Sequence, residues 1–527
     1  MGATASGSDR RRARSAMLGI AAHFAFLYYL FYMGTNRALV ISGFPFERAD
    51  ALIALLAMGV ALFAQSFASP QASRSLTAGS LPVCYAILMA LGSSVAFIGA
   101  PSWAAMLSEG LLVGLPSGLM LCAWGRALAS FEALEAGCVV FGATCLAAIA
   151  CLAASLLSAL FPPALSVLNF LPFAEASALI VFLRKGSDAL SGTALAAAGE
   201  SGHRGEVGAD DAGSTRAGAA SADEASTIRW SDLVASRDQR SEAARLSRRA
   251  VAGTAVFGIA AGLMETYGSD PGMAVMPTVP AALLVLAILC LGSLQFVGSA
   301  HSDPGASRSA ADVDGPLTGV YRLSVLVMMA GFLFVPVLGF SGVPGEAVVL
   351  AGYLGLCALL VGLFAVMAGV AGIDPSASIA RGMLSLYVGE ACGLVLGNII
   401  GALPGASLGS LAPPAVAATA GLATLISYQF LFTESDVRGL TMIVGEADRF
   451  ENACASIAQS CGLSPREAEI LPLALRGRTA ERIASELFIA KSTVDTHLRR
   501  IYRKTGVHGR QELIDLGEQE LHRLGGK

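Results

Sequence analysis

Twelve apolar stretches, each about long enough to cross the roughly 30 Å hydrocarbon core of a bilayer, restrict what most of this chain can fold into. They fall near residues 15 to 34, 50 to 68, 81 to 99, 103 to 123, 137 to 160, 164 to 183, 250 to 267, 273 to 297, 320 to 340, 346 to 369, 379 to 402 and 411 to 431. Hydrocarbon gives backbone groups no partner, so each stretch must satisfy its own amides and carbonyls, which makes it a helix. The composition agrees: 54% of residues are hydrophobic and 14% charged, where soluble domains carry about a quarter charged. The first stretch continues through Phe24, Phe26, Tyr28, Tyr29, Phe31 and Tyr32 without a small-residue cleavage pattern, so it reads as a retained helix and not a signal peptide. The expected fold is all-α, a twelve-helix transmembrane bundle of six plus six helices with a small helical domain behind it.

Arginine and lysine set the expected orientation, because short positive loops stay cytoplasmic. The basic N-terminus, residues 1–14, carries Arg10, Arg11, Arg12 and Arg14, and the even-numbered connections carry Arg74, Arg126, Arg184, Lys185, Arg248, Arg249, Arg308, Arg322 and Arg381. The odd-numbered connections hold only Arg37 and Arg48. Both termini are therefore expected in the cytoplasm. The six helices of 15–183 and the six of 250–431 are separated by residues 184–249, a Gly, Ala and Ser-rich segment too poor in apolar residues to fold alone, expected as a mostly disordered cytoplasmic linker. Its last part, Trp230 to Arg249, has the pattern of an amphipathic surface helix.

Beyond Phe432 the solvent changes. After a connector, 432–462, residues 463–527 are charged, and Ser464 to Asp515 holds ten Lys/Arg against seven Asp/Glu within a chain whose formal net charge is −4. Ser464-Pro465-Arg466-Glu467 is a capping box with Pro at the first helical position. The helix it starts buries Ile470, Leu471, Leu473 and Leu475 and stops at Arg476-Gly477. Thr479 caps a short second helix; after Phe488-Ile489-Ala490 a third runs from about Lys491 to Lys504; a fourth follows Gly506-Val507-His508. A short helix, a tight turn and a helix with hydroxyl and cationic side chains on its free face have the proportions of a helix-turn-helix. Lys491, Arg499, Arg500, Arg503 and Lys504 are candidates for phosphates or guanine edges, and Ser492, Thr493 and Thr496 for contacts near the helix N-terminus. On spacing alone a partner-binding helical domain with a solvated charged face stays open.

The run Leu463 to Glu467, with Gly477, Ile483-Ala484, Leu487, Ser492-Thr493-Val494, Thr496-His497, Ile501 to Lys504, Gly506-Val507-His508 and Arg510 to Ile514, closely resembles the LuxR-type helix-turn-helix domain over about 55 residues. The resemblance implies a four-helix domain of bacterial regulators that binds double-stranded DNA, pairs through its last helix and controls transcription. Asp495 stands where that family commonly has Lys, and Ala480 and Ala490 stand where it often has a capping Ser or Asn. Asp495 has two readings: it accepts from cytosine N4, or it caps its own helix with Ser492.

The six-plus-six layout resembles the major facilitator superfamily, without that superfamily's Gly, Asp and Arg/Lys signature, since Ala68 to Ser80 has only Arg74 as a charge. Polar groups within apolar stretches point to a ligand site because hydrocarbon penalises them. Glu175, Glu265 and Glu390 are the candidates for lining a cavity that takes a cationic ligand, an amine or a proton; His23 and Asn398 are further intramembrane polar groups, and for each a bond to a neighbouring helix is the plainer reading. Eight of the ten cysteines lie in or beside apolar runs and read as small buried hydrophobes. With no phosphate loop, metal-ligand spacing or nucleophile elbow, no enzyme and no cofactor are expected. The resulting expectation is a membrane-anchored, one-component transcription regulator of the bacterial inner membrane, sensing an unknown small molecule or membrane state and acting as a homodimer. The alternative is a secondary transporter of the major facilitator type with a regulatory DNA-binding tail.

Overall fold

The computed structural model describes residues 7–34, 37–41, 43–77, 79–95, 103–184, 237–266, 278–302, 316–338, 344–371, 373–402, 412–487 and 489–525. The membrane body is built from α1 (Gly7–Tyr32), α2 (Ala49–Phe67), a short α3 (Pro70–Leu76), α4 (Leu81–Val95), α5 (Trp103–Leu128), α6 (Ala133–Ser158) and α7 (Pro163–Arg184, opening as a tight 3-10 turn). After the undescribed stretch 185–236 come α8 (Arg237–Thr266), α9 (Val279–Ser302), α10 (Pro316–Leu338), α11 (Gly345–Ala371), α12 (Pro375–Ala402) and α13 (Ala412–Ile426), which ends in a π turn, Ser427–Leu431. Among the described residues seven helices are long and apolar enough to cross a bilayer on their own, and nine if each bent pair is one span; Val279–Gln295 and Leu317–Leu333 are shorter apolar helices. The chain is a multi-pass membrane protein. One antiparallel hairpin interrupts the all-helical pattern, β1 (Leu39–Ile41) with β2 (Phe44–Phe46), in register Leu39 to Phe46 and turned at Gly43.

Most of the 184–249 linker lies outside the described residues. Its end departs from expectation: the helix begins at Arg237, so residues 237–249 are the polar first turns of α8 and not a separate surface helix. Two cysteines also differ from the buried reading, Cys84 and Cys392 being exposed.

Glycines set how closely the helices approach. A Cβ on Gly258 would stand 2.2 Å from the Leu386 carbonyl oxygen, on Gly262 2.1 Å from that of Glu390, and on Gly393 2.3 Å from that of Ile259. In lipid, helices gain little from apolar burial against each other and associate through such backbone-close packing. The interlocked α8 and α12 thereby place Glu265 and Glu390 side by side.

The soluble tail consists of α14 (Glu434–Ser460), α15 (Pro465–Leu475), α16 (Ala480–Glu486), α17 (Lys491–Thr505) and α18 (Arg510–Gly525). The connector is thus itself a helix. Thr433 and Asp436 form a capping box at its start, and at 1.5 Å per residue it is about 40 Å long. Val437, Leu440 and Ile443 from its first half pack in the membrane-body core, whereas Cys454 and Ile457 from its second half pack in the tail core with Ile470, Leu471, Ile483, Val494, Ile501 and Leu513.

Candidate nucleic-acid interface and intramembrane site

Local signals position the tail helices. The Ser464 hydroxyl accepts from the Glu467 amide while the Glu467 carboxylate accepts from the Ser464 amide at 2.8 Å, and Thr479 accepts from the Arg482 amide. Gly477 and Gly506 end α15 and α17 at φ 72°, the left-handed region where a side chain is strained. Helix α17 starts at Lys491 behind Ala490, without a side-chain cap. Ser492 and Asp495 therefore do not cap it: Asp495 sits inside the first turns, and the Ser492 carbonyl accepts from the Thr496 hydroxyl.

At 100° per residue, Ser492, Thr493, Thr496, Arg499, Arg500 and Arg503 occupy an arc of about 120°, opposite the buried Val494 and Ile501. All six are exposed. The arginines Arg499, Arg500 and Arg503 have no carboxylate partner among the described residues. Exposed and unneutralised guanidiniums beside hydroxyls are the donor set that phosphates and guanine edges accept from.

The two lysines behave differently. Lys491 pairs with Glu481 of α16 at 2.5 Å, and this bond lowers the Glu481 carboxyl and raises the Lys491 ammonium relative to their ordinary values. Lys504 reaches back to the buried Glu467 at 2.7 Å and to the Gly462 carbonyl at 2.9 Å. Burial pushes the Glu467 carboxyl up, but the bonds from Lys504 and Ser464 outweigh it and hold the group below the usual carboxylate range. Lys504 thus ties α15 and α17 together.

The tail is joined to its connector as well. Ser456 of α14 donates to Glu520 of α18 at 2.5 Å, and Arg523 clasps the same carboxylate. The Arg523 and Ser456 bonds pull the Glu520 carboxyl down to about 2. At the other end, Arg249 bonds Asp436 at 2.8 Å and the Phe430 carbonyl at 3.0 Å, and Arg322 lies 3.5 Å from Glu434. Two arginines that the sequence offers only as orientation signals therefore hold the base of α14.

Inside the bundle the three candidate glutamates separate into two sites. Glu175, fully buried, lies 2.9 Å from His23 Nδ1 and accepts from Trp124 Nε1 at 3.0 Å. About 13 Å further along α1, at 1.5 Å per residue, Tyr32 donates to Glu390 at 3.3 Å, and Tyr353 donates to its other oxygen at 2.7 Å. Glu265 is buried in the same cluster, beside Glu390. Arg48 completes this second site, lying 3.0 Å from Glu265 and donating to the Phe31 carbonyl at 2.7 Å. One guanidinium faces two buried carboxyl groups, and a low-dielectric interior penalises any charge left unbalanced among them. Arg48 is 1% exposed and adopts φ 56°, a conformation that strains a non-glycine residue; counting it as a loop charge missed this role. Arg37, the other arginine on that side, bonds Glu109 at 2.6 Å and Asp50 at 3.2 Å. Asn398 is structural: it exchanges hydrogen bonds with the Glu47 backbone and donates to the Leu394 carbonyl.

Helices α15 to α18 form a four-helix helix-turn-helix domain whose α17 presents an exposed cationic face. Residues 462–516 match the family described as bacterial regulatory proteins, luxR family, so this domain is a LuxR-type helix-turn-helix. Over 63 residues the chain is 40% identical to the HTH-type transcriptional regulator MalT of Serratia proteamaculans (strain 568), a match covering 12% of this chain and 7% of that protein. The chain thus spans under a tenth of that relative's length. Among solved structures, the body is similar to an auto-inhibited POT family peptide transporter (TM-score 0.44, 10% identity, 79% of this chain and 96% of that one). It is also similar to a bacterial homologue of the iron transporter ferroportin (0.42, 11%, 80% and 99%) and to the E. coli fucose:proton symporter FucP (0.40, 12%, 80% and 97%).

Proposed function

We propose that this protein is a membrane-anchored one-component transcription regulator of the bacterial inner membrane, with both termini cytoplasmic. Its tail binds double-stranded DNA through Ser492, Thr493, Asp495, Thr496, Arg499, Arg500 and Arg503, with Lys491 and Lys504 acting mainly inside the domain, and two tails pair on the operator. The observation that carries this reading is the continuous α14, whose first half belongs to the membrane core and whose second half belongs to the core of the LuxR-type domain. A ligand or membrane state that prefers one arrangement of the bundle biases α14 and, through it, how readily two tails engage DNA. The buried sites at Glu175 and at Glu265 with Glu390 are the proposed sensing elements, for a proton or an amine-bearing small molecule. Glu→Gln changes at all three are expected to abolish the response of a target promoter to that signal; an unaltered response removes them from the mechanism. Mapping DNA occupancy in cells tests the DNA-binding claim: discrete occupied sites are expected, lost on Arg499→Ala plus Arg500→Ala.

A second reading, a secondary transporter with a regulatory tail, is favoured by the Arg48, Glu265 and Glu390 cluster, since ionisable residues facing a bundle interior often mark a transport path. Proteoliposomes in which deletion of residues 440–527 leaves solute uptake intact would support it.

A further inference from the structure

A cavity of about 290 Å³ opens where α1, α5 and α7 meet the short helix α3, and it is lined by Ser130, two residues from the Glu132 that bonds α14. Three guanidiniums line it, from Arg12, Arg74 and Arg126. Arg12 lies 4.7 Å over the Phe182 ring and donates to the Ser130 hydroxyl at 3.3 Å, while its Nε is buried without a partner among the described residues. Arg74 is exposed and has no carboxylate partner among the described residues. Arg126 is held from behind by Thr77, by the Ser73 hydroxyl at 2.7 Å and by Asp374 at 3.6 Å. Among the described residues Arg12 and Arg74 have no carboxylate partner, and they stand over an apolar floor that includes Leu179 and Phe182.

We propose that this cavity binds a phosphate-bearing headgroup. Guanidinium forks match phosphate oxygens bidentately, and basic pockets between membrane helices on the cytoplasmic side take anionic headgroups. The volume sits at the low end of ligand pockets, about 300 Å³, which suits a headgroup and excludes a whole lipid. The exposed Leu183 lines the cavity, and Leu76 lies two residues from Arg74; at 41% and 38% exposure they offer an attached acyl chain an apolar exit. The site also touches the connector. Two residues beyond Ser130, Glu132 accepts a hydrogen bond from Asn452 of α14 at 3.1 Å, so a phosphate that draws Arg12 away from Ser130 acts on the loop that contacts α14.

The test uses the full chain in detergent, incubated with phosphatidylglycerol, with phosphatidylcholine or with glycerol 3-phosphate, and read by native mass spectrometry. Retention of phosphatidylglycerol over phosphatidylcholine is expected, falling about thirtyfold in Arg12→Gln plus Arg74→Gln, from roughly fivefold per arginine near a membrane surface. Arg11→Gln plus Arg14→Gln, which removes two exposed charges away from the cavity, should leave it intact. If the cavity variant fails to fold, Arg12→Lys plus Arg74→Lys serves in its place, keeping charge but losing the forks, and weaker retention is again expected. Binding of glycerol 3-phosphate that the cavity variant loses would keep the phosphate site and assign a soluble ligand. Equal loss in both double variants, or no loss in the cavity variant, overturns the proposal.

Discussion

Removing the Lys504 side chain separates holding the tail together from reading DNA. The ammonium is 2.7 Å from Glu467, whose side chain is 2% exposed, and 2.9 Å from the Gly462 carbonyl. Lys504→Ala leaves the carboxylate buried with its bond from the Ser464 amide still in place. An orphaned buried acceptor costs about 1 to 3 kcal/mol, more when charged; one bond remains, so about 2 kcal/mol is expected, roughly a thirtyfold rise in the open population. Native-state hydrogen exchange of the α15 amides in the full-length protein reads this directly. The sign with pH follows from the lowered Glu467 carboxyl: its stabilisation is complete above the ordinary value of 4.5 and is lost as pH falls through its lower folded value. In Lys504→Ala that acid dependence should flatten. Arg499→Ala, which removes an exposed side chain without an ion pair, should leave α15 exchange unchanged. Unchanged exchange in Lys504→Ala, or an equal rise in both variants, refutes the assignment of Lys504 as an internal tie.

Gly262→Ala drives a methyl against the Glu390 carbonyl oxygen and should cost about 1 to 3 kcal/mol, whereas Gly292→Ala, with nothing within 4 Å, should be neutral or stabilising by about 0.5 to 1 kcal/mol; thermal unfolding in detergent distinguishes them. Arg48→Met alone strands buried carboxyl groups and should destabilise by about 3 to 5 kcal/mol, while Arg48→Met with Glu265→Gln should recover most of the loss in the same assay. Glu520, with its carboxyl at about 2, clasps α18 to α14; that contribution is complete above 4.5 and fades as pH falls toward 2. Protection of α18 from pepsin should fall over this interval in the wild type and vary less with pH in Glu520→Gln.

What the sequence discloses is what short-range physics writes into it. Hydropathy marks the membrane helices because hydrocarbon acts on each segment separately. Ser464, Glu467, Thr479, Gly477 and Gly506 mark the tail helices because caps and left-handed turns are decided within four residues. The periodic run from Val494 to Ile501 identifies the buried side of α17, and with it the exposed side. Pairings across long separations are not written this way: Arg48 with Glu265, His23 with Glu175, and Lys504 with Glu467 exist only because packed helices bring them together. Each looks in sequence like a loop charge, an isolated intramembrane polar residue or a phosphate contact. The helical connector lies between these cases, since Thr433 and Asp436 spell out a capping box at its start, but the sharing of α14 between two cores depends on tertiary packing.

In the proposed mechanism a tail fixed to a membrane body reads DNA with the exposed arc of α17. Genome-wide DNA occupancy of the full-length, membrane-inserted protein, compared with Arg499→Ala plus Arg500→Ala at equal abundance and equal α15 hydrogen exchange, decides it. Discrete sites that vanish in the double variant are expected. Sites that persist in it, or no sites in the wild type under any membrane or ligand condition, would contradict the claim.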